Sequence, residues 1–214
     1  MNNRLLIFEN SDKVDTTSPF NPRNLCDLPT PFCAILSAPT SSGKTSLIQN
    51  IILQQQPEFD RILLWHFDEF SSEYDSLDVE KIESAPNVSM FKRGEKTLLI
   101  IEDISFDALN KQEKSDLNRC FGYISSHYGV SILLTTQTYT NVPVPIRRMA
   151  NFLFLWKATD RRLSYLLSAM FGINKKRVDE YFDTLETRYD FICISSAVGY
   201  PRITKNIYEV LSED

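Results

Sequence analysis

The sequence predicts an α/β fold, a mostly parallel sheet with helices over its faces and an antiparallel hairpin near its C-terminal end. Three observations predict it. Short continuous apolar runs recur along the chain and alternate with stretches of helical periodicity. A Gly-Lys-Thr string joins the first such run to the first such helix. The last two apolar runs are separated by a short turn.

Residues 1–30 carry Asn, Asp, Ser, Thr and Pro without periodicity from residue 10 onward and are expected to form an extended arm; residues 31–214 are expected to be one domain. Phe32 to Leu36 reads as a buried strand, and Thr45 to Gln54 as a helix with Leu47, Ile48, Ile51 and Ile52 on one face. Arg61 to Phe67 is the next strand. The stretch 68–87 is an acidic connector, with Asp68, Glu69, Glu73, Asp75, Asp78, Glu80 and Glu83 against Lys81, to which only a short helix could be assigned. Thr97 to Ile101 has the all-apolar character of a strand covered on both faces. Lys111 to His127 reads as a helix, Val130 to Thr135 and Asn151 to Trp156 as strands, and Arg161 to Phe171 and Lys175 to Glu186 as helices broken by Gly172. Phe191 to Ser195 and Arg202 to Ile207, joined through Ala197, Val198, Gly199 and Tyr200, form the closing hairpin.

The 214 residues, 43% apolar and 24% charged, suffice for one well-buried core. The longest apolar run, Phe152 to Trp156, falls far short of the roughly 20 residues that cross a bilayer, and the N-terminus has no extended apolar stretch with a cleavage site. Neither a membrane partner nor secretion is expected. Cys26, Cys33, Cys120 and Cys193 are scattered without metal-ligand spacing and read as reduced thiols. A net charge of -5 excludes a uniformly basic nucleic-acid coat.

The stretch Ala38, Pro39, Thr40, Ser41, Ser42, Gly43, Lys44, Thr45 matches the P-loop pattern with Ala in place of the first Gly, and Ser46 continues it into the helix. It follows a buried strand and opens an amphipathic helix, where free backbone N–H groups and the positive end of the helix dipole meet an anion. Gly43 lets the backbone approach the phosphates of ATP, Lys44 reaches their outer oxygens, and the Thr45 hydroxyl ligates Mg2+. Leu98 to Ile101 then ends in Glu102 and Asp103, two acids at the end of a neighbouring strand. One would hold the magnesium shell and the other would orient or deprotonate the attacking water. Paired acids in such ATPases usually run Asp-Glu or Asp-Asp, so the inverted order leaves two registers. The preferred one puts Glu102 on the metal and Asp103 as base; in the other Asp103 binds the metal while Glu102 points to the opposite face of the strand. Gln137, ending the strand Ile132 to Thr135, would contact the terminal phosphate or position the water. These parts imply a three-layer P-loop NTPase core of the RecA-like, additional-strand (ASCE) type.

The segment His127 to Lys157 resembles the genome-packaging ATPases of large DNA viruses, virophages and adenovirus-like elements, within the FtsK-HerA superfamily. The residues that carry the resemblance are His127, Ser131, Thr136, Gln137, Tyr139, Pro145, Ile146, Arg147 and Asn151, in that order. It extends over roughly residues 30–210, including the hairpin Phe191 to Ile207. Departures are Ala38, the Glu102-Asp103 order, Arg148 and Met149 after Arg147, and the acidic connector. The resemblance implies an ATP-driven translocase that threads double-stranded DNA into a preformed capsid. It also implies a homo-oligomeric ring of about five or six subunits, capsid vertex proteins as partners, and work at sites of virus assembly in the host cytoplasm or nucleus, or on the virion. Arg147 would then be an arginine finger acting on a neighbouring subunit's nucleotide. His127 reads equally as a cation at a helix C-terminus, and His66 as a core or interface residue.

Residues 141–177 hold eight basic residues against Asp160 alone, a local +7, and Lys175, Lys176 and Arg177 are the candidate DNA contacts. A nucleotide switch protein of the GTPase kind is disfavoured, because the nearest string to its base-recognition motif, Asn174 to Arg177, ends in the wrong charge. Two alternatives remain. One is a nucleotide-binding structural subunit of capsid assembly with little turnover; the other is a small-molecule P-loop kinase using Arg161 and Arg162 as a lid.

Overall fold

The computed structural model describes residues 28–66, 72–157, 162–197, 202–207 and 209–212. The expected arm up to residue 27, with Cys26, lies outside these, as do Asp68, Glu69, Asp160, Arg161 and the turn residues Val198, Gly199 and Tyr200.

The apolar runs become strands β1 (Cys33–Ser37), β2 (Arg61–His66), β4 (Thr97–Glu102), β5 (Ser131–Thr136), β6 (Phe152–Trp156) and β7 (Phe191–Ser195), joined by the short β3 (Glu80–Ile82), β8 (Ile203–Lys205) and β9 (Glu209–Ser212). Among the described residues they make one sheet in the order β3-β2-β4-β5-β1-β6-β7-β8-β9. The first six positions are parallel and the last three antiparallel to their neighbours. β1, β4, β5, β6 and β7 are buried at every position, as strands covered on both faces must be. β1 sits in the middle of the order, and a single strand, β5, separates it from β4. This is the additional-strand arrangement expected from the sequence.

Helices are α1 (Lys44–Gln54), α2 (Lys111–Arg119), α3 (Ser125–Tyr128), α4 (Val144–Met149), α5 (Arg162–Phe171) and α6 (Lys175–Asp183). Strand alternation sorts the core into two layers. Leu47, Ile48 and Ile51 of α1 cover Ala34, Leu36, Leu98, Ile100 and Leu133 on one face. On the other, Leu117, Phe121, Ile124, Leu163, Leu167 and Val178 cover Ile35, Leu99, Ile101, Ile132 and Leu134. The result is three layers, helix on sheet on helix. Leu28 is buried in the α1 layer, and its backbone N–H and C=O are both engaged by the Gln55 amide, at 3.1 and 3.0 Å.

Four local expectations change. The single helix Lys111 to His127 is interrupted by a π-helical segment, Cys120–Ile124, between α2 and α3. The connector contains β3, whose Glu80 forms a bidentate pair with Arg61 of β2; its two charged residues and short length hid it from pattern reading. The closing hairpin gains a third strand, β9, which has no apolar alternation to announce it. Pro145 and the residues around it form α4, too short for a periodic signal.

Candidate functional site

The phosphate loop leaves β1 at Ser37 and closes into α1 at Gly43. Its first residue is pinned to the adjacent strand, since the Ala38 N–H donates to the Thr136 carbonyl at 3.0 Å. Ser41 and Gly43 take left-handed φ angles of 59° and 93°, the reversals that turn a run of backbone N–H groups inward. Lys44 is only 9% exposed; its Nζ reaches back to donate to the carbonyls of Ala38 at 3.0 Å and Pro39 at 3.3 Å. The ammonium therefore spans the loop. Pro39, Thr40 and Ser41 are exposed, Ser42 is buried, and Thr45 and Ser46 are half-buried on the first turn of α1. No side chain caps α1 and no acid lies in its first turn. Its leading N–H groups are thus left for an anion, and the loop fits a nucleotide's phosphates.

Glu102 ends β4 in the alternation of Leu98 and Ile100, so its side chain lies on the α1 side of the sheet. It is 4% exposed and accepts a 2.8 Å hydrogen bond from the Tyr74 hydroxyl. Burial raises its pKa above the ordinary carboxylate value, against the lowering effects of that bond and of nearby His66. His66 stands beside Glu102 in the parallel register of β2 and β4. Asp103, in contrast, is exposed and has left the strand: its φ is 47°, and its N–H donates to Thr135 Oγ1 at 3.1 Å. The two acids thus differ sharply in environment.

Two residues of the acidic connector reach this corner without any warning in the sequence. The Thr45 hydroxyl donates to Glu73 Oε2 at 3.0 Å, and Gln49 holds the Glu73 carbonyl at 2.7 Å. Tyr74, buried beside Glu73, completes the link to Glu102. The consecutive pair Glu73-Tyr74 therefore ties together the two groups assigned to magnesium. No local signal could have found it, because the contact is made on the α1 face by a segment distant in sequence and with no periodicity. Among the described residues no cluster of three or more His, Cys, Asp or Glu could cage a metal. The oxygen donors present, the Thr45 hydroxyl, the Glu73 carboxylate against it and the buried Glu102 carboxylate, fit magnesium held mainly by phosphate and water.

Gln137 follows β5 at the same level as Ala38, exposed at the tip of a turn in which Thr136 Oγ1 bonds the backbone of Thr138. Arg147 lies elsewhere. It projects from α4 with its guanidinium 5.5 Å over the Tyr139 ring, and its Nε is buried without a partner. Among the described residues no hydrogen bond or ion pair joins it to the phosphate loop or to Glu102. His127 closes the last turn of α3, stacked on Tyr123 at 4.4 Å.

Lys175, Lys176 and Arg177 open α6, with their charges partly answered. Lys175 pairs with Asp179 at 2.7 Å and Lys176 with Glu180 at 3.8 Å, while Arg177 stacks on Tyr181. The helical spacing brings in two acids that a count ending at residue 177 leaves out.

No protein-family model matches the sequence, and no curated protein matches it significantly. The fold is nonetheless shared with solved structures. The DNA-packaging ATPase B204 of Sulfolobus turreted icosahedral virus superposes with a TM-score of 0.59 at 14% identity, over 83% of this chain and 98% of that one. The genome-packaging NTPase B204 of Sulfolobus turreted icosahedral virus 2, in complex with AMPPCP, gives 0.61 at 16% identity, over 81% and 96%. The pCW3 conjugation coupling protein TcpA, with ATPγS, gives 0.54 at 15% identity, over 86% of this chain and 61% of that one. The resemblance drawn from the Gln137 to Arg147 segment is thus met at the level of the fold.

Proposed function

We propose that this chain is an ATPase that drives double-stranded DNA into a preformed viral capsid. The observation that carries the proposal is the convergence of Lys44, Thr45 and the buried Glu102 at one corner of a sheet whose architecture is that of packaging NTPases. Residues 31–214 act as one ATPase domain in this reading. The N–H groups of Ala38 to Ser46 bind the phosphates, Lys44 neutralises their outer oxygens, and Thr45 with Glu102 holds Mg2+, which when bound withdraws charge from the terminal phosphate. Asp103 accepts a proton from the attacking water, and Gln137 positions that water. Arg147 serves a neighbouring subunit of a homo-oligomeric ring, consistent with its Nε having no hydrogen-bond partner among the described residues. Lys175, Lys176 and Arg177 supply DNA contacts. Capsid vertex proteins are the assembly partners, at sites of virus assembly in cytoplasm or nucleus. No described helix is long and apolar enough to cross a membrane.

One observation favours a second reading, a nucleotide-binding assembly subunit with little turnover: Asp103 is exposed and turned out of the strand, away from the buried position of Glu102. ATP hydrolysis by the purified protein, with and without duplex DNA and beside Lys44→Ala and Gln137→Ala, separates the two. The motor reading expects DNA-stimulated hydrolysis abolished by Lys44→Ala and reduced about 100-fold or more by Gln137→Ala. Nucleotide binding with no hydrolysis under any condition selects the assembly subunit.

A further inference from the structure

Resting on the phosphate-loop reading above, we infer that Tyr189, with Arg188 beside it, is the platform that receives the nucleotide base. The sheet brings it there. Ser37, the last residue of β1, pairs with Leu155 of β6, and Leu155 pairs with Ile192 of β7. Because β7 runs antiparallel, its entry at Phe191 lies beside Trp156, at the edge of the sheet from which the phosphate loop also projects. The turn 186–190 before β7 therefore stands beyond that edge. A Cβ built on Gly43 would come 3.8 Å from Tyr189 Cδ1, so the ring faces the loop's last glycine across no more than the space a side chain there would take.

Three features distinguish this tyrosine from a surface residue of chance. It is 55% exposed although it stands next to the loop, leaving ring surface open beside the phosphate site. Arg188 lies over it, Cζ to ring centroid 4.7 Å, and donates a hydrogen bond to its hydroxyl, so the ring is held in one orientation and a cation stands next to it. The turn itself is fixed rather than loose. The Asp190 carboxylate accepts from the N–H groups of Glu186 and Thr187, each at 2.9 Å, and from the Asn206 amide at 2.9 Å. Asn206 in turn accepts from the Phe191 N–H at 2.9 Å. A rigid, exposed aromatic ring with a neighbouring guanidinium is what a purine ring stacks on, and it stands beside the last glycine of the loop that would hold the phosphates.

The test is a binding titration of ATPγS and of inorganic tripolyphosphate, which lacks base and sugar, on the full chain and on Tyr189→Ala and Tyr189→Phe. Tyr189→Ala is expected to weaken ATPγS roughly five- to a hundredfold, the loss of one base–aromatic stack, and to leave tripolyphosphate unchanged. Tyr189→Phe is expected to stay within about twofold of the parent. Equal weakening of both ligands by Tyr189→Ala would mean that the ring only props the loop and would overturn the inference. So would binding of ATPγS that no substitution alters, and in that case the phosphate-loop reading stands. A parent chain that binds neither ligand sinks that reading and this one together.

Discussion

Tyr74 shows how much a single phenol can decide at this site. It is 1% exposed, its hydroxyl donates to Glu102, and burial next to that carboxylate drives its own pKa far up, so it remains a donor at any working pH. Tyr74→Phe keeps the ring and removes the bond, leaving a buried carboxylate with one partner fewer. The expected cost is about 1.5–3 kcal/mol in urea unfolding, the range for a hydrogen bond to a charged group. The cysteines offer a second residue-scale expectation. Burial pushes the Cys33 thiol up to about 11 and the Cys120 thiol up to about 12, and Cys193 is also buried. Such thiols stay protonated and shielded. In a Cys26→Ser variant, Ellman's reagent is expected to react slowly with the native protein and at full stoichiometry after unfolding. The cysteine spacing had suggested reduced thiols; the burial gives the reason for their inertness. The inverted order of Glu102 and Asp103 was equally plain in the sequence. What could not be read there was that one acid ends inside the strand alternation and the other outside it, because a left-handed φ at a non-glycine residue leaves no mark on composition.

The turn before β7 is an element held by one carboxylate. Burial acts to raise the Asp190 pKa, but hydrogen bonds from Thr187, Asn206 and Glu186 outweigh it and leave the value lowered. Stability from this group is therefore present above the unfolded carboxylate value, about 3.9, and is lost as pH falls through the lower folded value. Asp190→Asn should remove that part of the acid dependence, so the parent and variant stability curves converge at the acid end and separate toward pH 5. Helix α6 behaves differently from the expectation of a free basic stripe. Asp179 and Glu180 sit one turn from Lys175 and Lys176, so each pair carries less positive charge than its lysine alone. Charge reversal at Arg177 is expected to weaken DNA binding and flatten its salt dependence by about one phosphate contact, while Asp179→Asn together with Glu180→Gln should strengthen binding. If the paired neutralisation changes nothing, α6 does not face the DNA.

At the scale of the whole molecule, the strands at Cys33, Thr97, Ser131, Phe152 and Phe191 were legible because helices bury them at every position, so their centres are apolar runs, and β2 and β8 were legible from shorter apolar stretches that are buried in part. The illegible ones are at the two edges. β3 and β9 are short, charged or exposed, and they hold their places by pairing with a neighbour. The nucleotide corner divides in the same way. Lys44, Thr45 and Glu102 follow from local motif and strand end, whereas Glu73, Tyr74 and Tyr189 arrive from distant segments whose approach only the folded sheet defines. The ring proposal belongs to this scale too. Mixing Arg147→Ala subunits with Lys44→Ala subunits should restore hydrolysis above the level of either variant alone, since some interfaces then pair an intact loop with an intact arginine; no restoration would argue against a finger acting between subunits. The bond from the Ala38 N–H to the Thr136 carbonyl has a mechanical consequence for such a ring. From Thr136 the chain passes through the hydroxyl-locked turn at Thr138, the single 3-10 turn Tyr139–Asn141, and α4, where the Tyr139 ring lies under Arg147. Each joint is a named bond or ring contact, so if the proposed ring forms, a displacement of the phosphate loop in one subunit would be carried along one short crank to the arginine facing the next.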